Sequence, residues 1–321
     1  MFSGLGGPES VGLTETDRPE PGLGDLLVKV EAAGLNRADL LQRDGYYPPP
    51  EGVTPVPGLE IAGVVAAVGA RVHRFREGDR VCGLVAGGGQ ADYCVLPERQ
   101  ALPMPAHWSF VRGAAIPEAF MAADHMMVTL GGLRSGESVL IHAGSSGVGS
   151  AAIQVANMLQ CDIFTTAGSP AKINKCRALG ARICIPYKEE DFAEVVLAQT
   201  EGRGVDLVVD FIGAAYLKRN LRVLRTGGRL VVVGLLGGVK AEINLATLLA
   251  KRLNVLGGTL RALPSDEKQA LVDRFRARWW PLFLDDKLRE VVDRTFPVEE
   301  VRSAHEVMAS GTHFGKIVLT F

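Results

Sequence analysis

A chain of 321 residues is too long for one comfortable core and divides naturally into two domains. Hydrophobic residues make up 47% and charged residues 22%, the balance of an ordinary soluble globular protein. A formal net charge of -1 gives no whole-chain pull toward nucleic acid or anionic lipid, so neither is an expected partner. The opening MFSGLGGPES has no basic region followed by an apolar run, and no stretch reaches the roughly 18 consecutive apolar residues of a membrane helix. Cytoplasmic residence is the expectation.

From Ser10 to about Pro105 the chain reads as short β-elements between glycine and proline punctuation. LLVKVEAAGL alternates in part, with Leu27, Lys29 and Glu31 set against Val28 and Val30. GLEIAGVVAAVG reads as a buried strand pair, and Gly78-Asp79-Arg80-Val81 restarts a strand after a turn. Between these strands lies a long insert, Asn36 to Pro50, with a helical look from Ala38 to Arg43; inserts of that length inside compact domains are usually functional. A helical run from Ser109 to Leu130, broken near Pro117, leads out of this half. Strand and helix then alternate, the mark of a doubly wound parallel sheet. Its six predicted strands are Val139–Ile141, Asp162–Thr166, Arg182–Ile185, Val205–Val209, Arg229–Val233 and Asn254–Leu256. A helix around Lys268–Phe283 and a last strand, Lys316–Phe321, form no further βα unit and are expected to return to the first domain. The boundaries that follow are 1–115 with 266–321 for a β-domain, and 116–265 for an α/β dinucleotide-binding domain.

Chemistry concentrates at ESVLIHAGSSGVGSAAIQ, Glu137 to Gln154. A buried strand passes through the turn Gly144-Ser145-Ser146-Gly147-Val148-Gly149 into a helix of small residues. Glycine lets such a turn bend sharply, approach a pyrophosphate and pack the helix on the strand, while the helix N-terminus offers N–H donors and a positive dipole end. Ser146, Gly147, Val148 and Gly149 are therefore candidate cofactor contacts. The spacing departs from G-x-G-x-x-G, which wants glycine at 146. His142, next to the turn, reads as a strand-end residue and not a ligand.

About twenty residues past the turn, a fold that prefers NADH places an acid for the ribose 2′-OH. The window Phe164 to Lys172 contains no carboxylate; Gly168, Ser169 and Lys172 stand there instead. A hydroxyl and a cation suit a 2′-phosphate, so NADPH is the expected cofactor. A solvated lysine at the start of a surface helix is the plainer alternative. Five cysteines (Cys82, Cys94, Cys161, Cys176, Cys184) form an odd, scattered set without C-x-x-C, and the six histidines include no H-E-x-x-H. Both facts argue against a disulfide scaffold or a cysteine-rich zinc lobe.

Taken together, LNRADLLQRDGYYPPP (35–50), VPGLEIAGVV (56–65), GGGQADYCVLPE (87–98), AAIPEAF (114–120), VLIHAGSSGVGSAAIQ (139–154), TAGSPAK (166–172), YKEEDF (187–192), VDLVVDFIG (205–213), GGRLVVVGLLGG (227–238) and HFGKIVL (313–319) make the chain resemble, over nearly its whole length, the zinc-free quinone oxidoreductases of the medium-chain dehydrogenase/reductase superfamily, and within them the p53-inducible quinone oxidoreductase group. The resemblance implies an α/β fold: a GroES-like β-domain built from both ends of the chain, plus a Rossmann domain with a doubly wound parallel sheet of six strands, and a cleft where they meet. It implies a homodimer or homotetramer, commonly joined through the edge of the Rossmann sheet. It assigns Ser169, Lys172 and Tyr187 to the adenosine 2′-phosphate. It implies that Gly213, Leu235 and Gly237, with Leu260, Arg261, Phe314, Gly315 and Lys316, line the nicotinamide and pyrophosphate. Asn36 and Tyr47 match the active-site Asn and Tyr. Where zinc-dependent relatives carry Cys, His-Glu and Cys, this chain has Asn36, Leu59-Glu60 and Glu118, so no metal is expected. Ala122 stands where many members have a threonine at the nicotinamide end, and the opening strand looks a few residues short.

The activity implied is hydride transfer from NADPH to a quinone, with the Asn36 amide and Tyr47 hydroxyl as hydrogen-bond donors where charge develops on oxygen. Tyr47 reads equally well as a shape element that packs a flat ring or caps the Pro48–Pro50 turn. Reduction of 2-alkenals or enones is an alternative with the same cofactor. A nucleotide-bound structural or RNA-interacting protein is the non-enzymatic alternative, opposed by the near-neutral charge.

Overall fold

The computed structural model describes residues 6–321. After a short 3-10 turn at Pro8–Ser10, the first strand, β1, runs Asp25–Leu35. Helix α1 (Arg37–Arg43) follows directly, then β2 (Glu60–Val68), β3 (Arg80–Leu84), β4 (Tyr93–Pro97) and β5 (Ala101–Pro103). The expectation of a short opening strand falls partly on residues 1–5, outside the described residues. GLEIAGVVAAVG, expected as two strands, is the single strand β2, paired antiparallel with both β1 and β3. Its internal glycine is not a turn: at Gly63 any Cβ would strike the Lys29 carbonyl of β1, so glycine is what lets the two strands lie flush. β1 alternates only where Lys29 and Glu31 reach outward; its second half is buried throughout.

The run from Ser109 forms α2 (Phe110–Ala114), capped by the Ser109 hydroxyl, and α3 (Pro117–Asp124), which passes into a π-helical turn at His125–Leu130. Parallel β and α then alternate: β6 (Ser138–Ile141), α4 (Gly147–Met158), β7 (Asp162–Ala167), α5 (Pro170–Ala178), β8 (Ile183–Pro186), α6 (Phe192–Gln199), β9 (Val205–Asp210), α7 (Leu217–Val223), β10 (Leu224–Val232), α8 (Leu245–Lys251) and β11 (Asn254–Gly257). The expected helix at 268–283 is two helices, α9 (Ser265–Arg278) and α10 (Trp280–Leu284), because Pro281 opens a new helix and cannot continue an old one. β12 (Val292–Pro297), α11 (Val301–Ser310) and β13 (Lys316–Thr320) complete the chain.

The chain separates into two compact units. One takes the residues up to Met121 and from Leu260 onward; the other is Ala122–Thr259. In the first, β1 to β5, β12 and β13 form one sheet in the order β12-β13-β1-β2-β3-β5, with β4 also on β1. Leu26, Val28, Val30, Ile61, Val65, Val81 and Leu96 fill its interior, and Leu35, Leu40, Ala304, Met308, Ile317 and Leu319 make a smaller core under α11. In the second, six parallel strands run in the order β11-β10-β9-β6-β7-β8. Every residue of β9 is buried, as a strand covered by helices on both faces requires. Phe192 of α6 sits at the centre of this core with Leu140, Phe164, Val208 and Leu224.

Phe192→Ala should destabilise the protein by about 3–5 kcal/mol through lost burial and the cavity left behind. Urea unfolding followed by circular dichroism checks it; a change below 1 kcal/mol would mean the core is not built this way.

Candidate functional site

The six-stranded unit reverses its strand order between β6 and β9, and ligands of such sheets bind outside the carboxyl ends of the strands at that reversal. There β6 hands over to α4 through the Gly144–Gly149 turn. The Ser146 hydroxyl caps α4 by accepting the Gly149 N–H at 3.0 Å. A Cβ at Gly144 would collide with the Thr165 hydroxyl, and one at Gly149 with the Ala143 carbonyl, so both glycines are required for the helix to close on the sheet. Ser146, Gly147, Val148 and Gly149 thus form the first turn of a twelve-residue helix, whose leading N–H groups have no intrahelical acceptor. Ala143 adopts φ 50°, a left-handed conformation that residue type does not announce. His142 is fully buried, its ring between the Thr166 hydroxyl at 3.1 Å and Asn220 Oδ1 at 2.8 Å. Burial pushes its imidazole down to about 4, so it is a neutral crossbar between strands and α7.

At the end of β7, Ser169 caps α5, accepting the Lys172 N–H at 3.4 Å and keeping its own O–H as a donor. Gly168 leaves just enough room for the Tyr187 hydroxyl, which a Cβ there would approach to 2.9 Å. Gly168, Ser169, Lys172 and Tyr187 therefore meet at one corner. At the end of β9 the buried Asp210 carboxylate accepts from Ile212 N–H at 2.7 Å and Gly213 N–H at 3.1 Å. That fixes a loop in which Gly213 (φ 80°) touches Leu235 and Gly238, while Gly237 N–H reaches the Ile212 carbonyl at 2.7 Å. Gly213, Leu235 and Gly237 are thus one cluster. A glycine-lined helix start, a hydroxyl and a lysine in a segment after β7 that carries no acid, and a loop beside the switch point suit a dinucleotide that bears a 2′-phosphate. Ala122 is buried.

The other unit carries a buried polar cluster. Glu60 opens β2 and is fully buried; its Oε1 lies 2.5 Å from the Lys316 ammonium and takes an Asn36 amide proton at 3.0 Å, and its Oε2 accepts the Glu118 backbone N–H at 2.8 Å. Lys316 also donates to Asn36 Oδ1 at 2.6 Å and the Leu35 carbonyl at 3.1 Å. Asp39 accepts from the Asn36 and Gly58 N–H groups at 2.8 and 3.0 Å, and burial pushes its carboxyl up to about 6. Arg261 donates to the carbonyls of Ala86 at 2.7 Å and Tyr47 at 3.2 Å, with its guanidinium 5.4 Å from the Tyr47 ring. One of its buried nitrogens, Nη2, has no hydrogen-bond partner among the described residues. Lys268 donates to the Arg261 carbonyl at 2.6 Å.

Two of the expected site residues also hold the cluster together. The Asn36 amide, expected to donate to a substrate oxygen, has its protons committed to Glu60 and the Gly34 carbonyl and its oxygen to Lys316. Lys316, expected along the cofactor, aims its ammonium protons at Glu60, Asn36 and Leu35. Both residues hold Glu60 in place. Leu260 and Phe314 are buried, Phe314 N–H donates to Asp293 at 3.0 Å, and Gly315 takes φ 90° where the chain turns tightly against the Val291 carbonyl. The sequence marks Glu60 and Glu118 only as the places where zinc ligands are missing and gives Asp39 no role; a charge cluster assembled from β2, α1, α3 and β13 leaves no local periodicity to detect.

Lys316→Met would strand the Glu60 carboxylate without a counter-charge, at a cost of about 3–5 kcal/mol in unfolding free energy. Guanidinium denaturation measures it, and an unchanged midpoint would remove the ion pair from its structural role.

The family described as alcohol dehydrogenase GroES-like domain matches residues 22–106, and that described as zinc-binding dehydrogenase matches residues 147–277. Quinone oxidoreductase of Rattus norvegicus is 30% identical, over 98% of this chain and 95% of its own length. Among solved structures, Escherichia coli quinone oxidoreductase complexed with NADPH superposes with a TM-score of 0.91 at 28% identity, covering 100% of this chain and 98% of that one. The CurK enoyl reductase superposes with a TM-score of 0.88 at 28% identity, covering 99% of this chain and 97% of the other.

Proposed function

We propose, for a chain that belongs to the quinone oxidoreductase family of the medium-chain dehydrogenase/reductase superfamily, NADPH-dependent reduction of quinones without a catalytic zinc. The observation that carries the cofactor choice is the corner of Gly168, Ser169, Lys172 and Tyr187, to which the segment Phe164–Lys172 brings a hydroxyl and a lysine but no carboxylate. When bound, NADPH would supply a hydride from its nicotinamide ring. The first turn of α4 would receive the pyrophosphate, and Ser169, Lys172 and Tyr187 the 2′-phosphate. The reading without zinc rests on the donor set: Asn36, Glu60 and Glu118 offer neither thiolate nor imidazole, and the Glu60 and Asn36 oxygens are already engaged by an ammonium. Tyr47, with Arg261 beside its ring, would pack a flat acceptor. Reduction of enones is a second reading, favoured by the likeness to an enoyl reductase. Cytoplasmic residence fits five free cysteines.

Purified protein should oxidise NADPH with a simple quinone in the presence of a chelator, and Lys172→Ala should raise the NADPH KM about tenfold while leaving the NADH KM nearly unchanged. Equal effects on the two cofactors would remove Lys172 from the phosphate site, and a requirement for added zinc would end the metal-independent reading. Faster turnover of 2-alkenals than of quinones would favour the second substrate class.

Homodimerisation belongs to the same proposal. β11 is the edge strand of the parallel sheet, with Val255 exposed, and Leu245 and Leu249 of the adjacent α8 are 69% and 81% exposed. A strand with its outer edge open, beside exposed leucines, is a surface that a second copy can cover. Leu249→Asp should convert a dimer to monomers in sedimentation analysis; a monomeric wild type would refute the assignment.

A further inference from the structure

We propose that Glu118 is the general acid of the reaction, delivering a proton from its carboxyl to the acceptor that has taken up a hydride. The inference rests on the reductase reading and adds a residue to it. Glu118 lies in the first turn of α3, and its backbone N–H is held at 2.8 Å by Glu60 Oε2, which fixes where its side chain starts. Glu60 cannot take the Glu118 proton, because Lys316, Asn36 and the Glu118 N–H already engage both its oxygens. The Asp39 carboxylate is likewise engaged by the Asn36 and Gly58 N–H groups. The Glu118 carboxyl itself forms no hydrogen bond with any described residue, and the residue keeps part of its surface exposed. With the Asn36 amide committed to the scaffold, Glu118 is the carboxyl of this cluster left to meet an acceptor.

The charged groups that face it are Glu60 on β2, Asp39 on α1, Lys316 on β13, Lys268 on α9 and Arg261 just ahead of α9. Burial, then Glu60, push the carboxyl up to about 8, with Asp39 adding to the rise and Lys316 and Lys268 opposing it. It therefore holds its proton at neutral pH and loses it as pH rises through about 8. The step balances simply. NADPH, when bound, would supply the hydride and leave as NADP⁺, so that the quinone or enone that takes it up would carry an oxyanion or enolate charge. The Glu118 O–H bond breaks as a new O–H or C–H bond forms on the acceptor, and the carboxylate recovers its proton from solvent.

Infrared difference titration of wild type against Glu118→Gln is the direct test. Wild type should show a protonated-carboxyl band at pH 7 that vanishes with a midpoint near 8 and is missing from the variant. With quinone, wild-type kcat should fall above that pH. The variant should lose about 100-fold in kcat and lack the alkaline limb, with the NADPH KM and melting temperature unchanged, and Glu118→Asp should recover part of the rate. Absence of the band, or a Gln variant with wild-type kcat and pH profile, overturns the proposal. A normal band in a protein that turns over neither quinones nor enones overturns the reductase reading beneath it, and the proton-donor role falls with that reading.

Discussion

A lysine ammonium buried against a buried glutamate is the contact on which the β-sheet unit depends. Lys316 is among the last residues of the chain and Glu60 among the early ones, and at 3% and 0% side-chain exposure neither ion has water to fall back on. Such a pair is tolerable only when every other donor and acceptor is also matched. That condition explains the neighbours: Asn36 uses its amide to bridge the two ions, the Leu35 carbonyl takes a further ammonium proton, and α3 presents a backbone N–H to the far oxygen. The strand order follows from it as well, since β13 must lie on β1 for Lys316 to reach Asn36.

Around this neutralised centre the remaining charges acquire their chemistry. Asp39 is spent on capping the start of α1 and anchoring Gly58, so its shifted titration is a by-product of burial. Glu118 sits in the same field with none of its carboxyl oxygens bonded to a described residue. The difference between a structural acid and a usable one is therefore the number of protein donors aimed at it, and not burial alone.

The parallel-sheet unit works by backbone rather than charge. Gly144 and Gly149 admit the helix, Ser146 and Ser169 cap their helices, and Asp210 ties down the Gly213 loop. Each device uses short-range geometry at a strand end. The nearby Phe192, His142 and Tyr216 rings, packed 4.7 to 4.9 Å apart, hold the sheet and helices rigid beneath them.

The sequence by itself determined the six parallel strands, the glycine turn and the missing acid after β7, because each is a local pattern of a few adjacent residues. It misjudged GLEIAGVVAAVG, since Gly63 signals close strand approach and a turn with the same letter. The family resemblance named Asn36 for the active site and Lys316 for the cofactor; the folded chain adds that both neutralise and orient Glu60. Only the tertiary structure decided that, and only it singled out Glu118. Charge compensation and hydrogen-bond saturation are sums over residues far apart in the chain, and no window of sequence contains them.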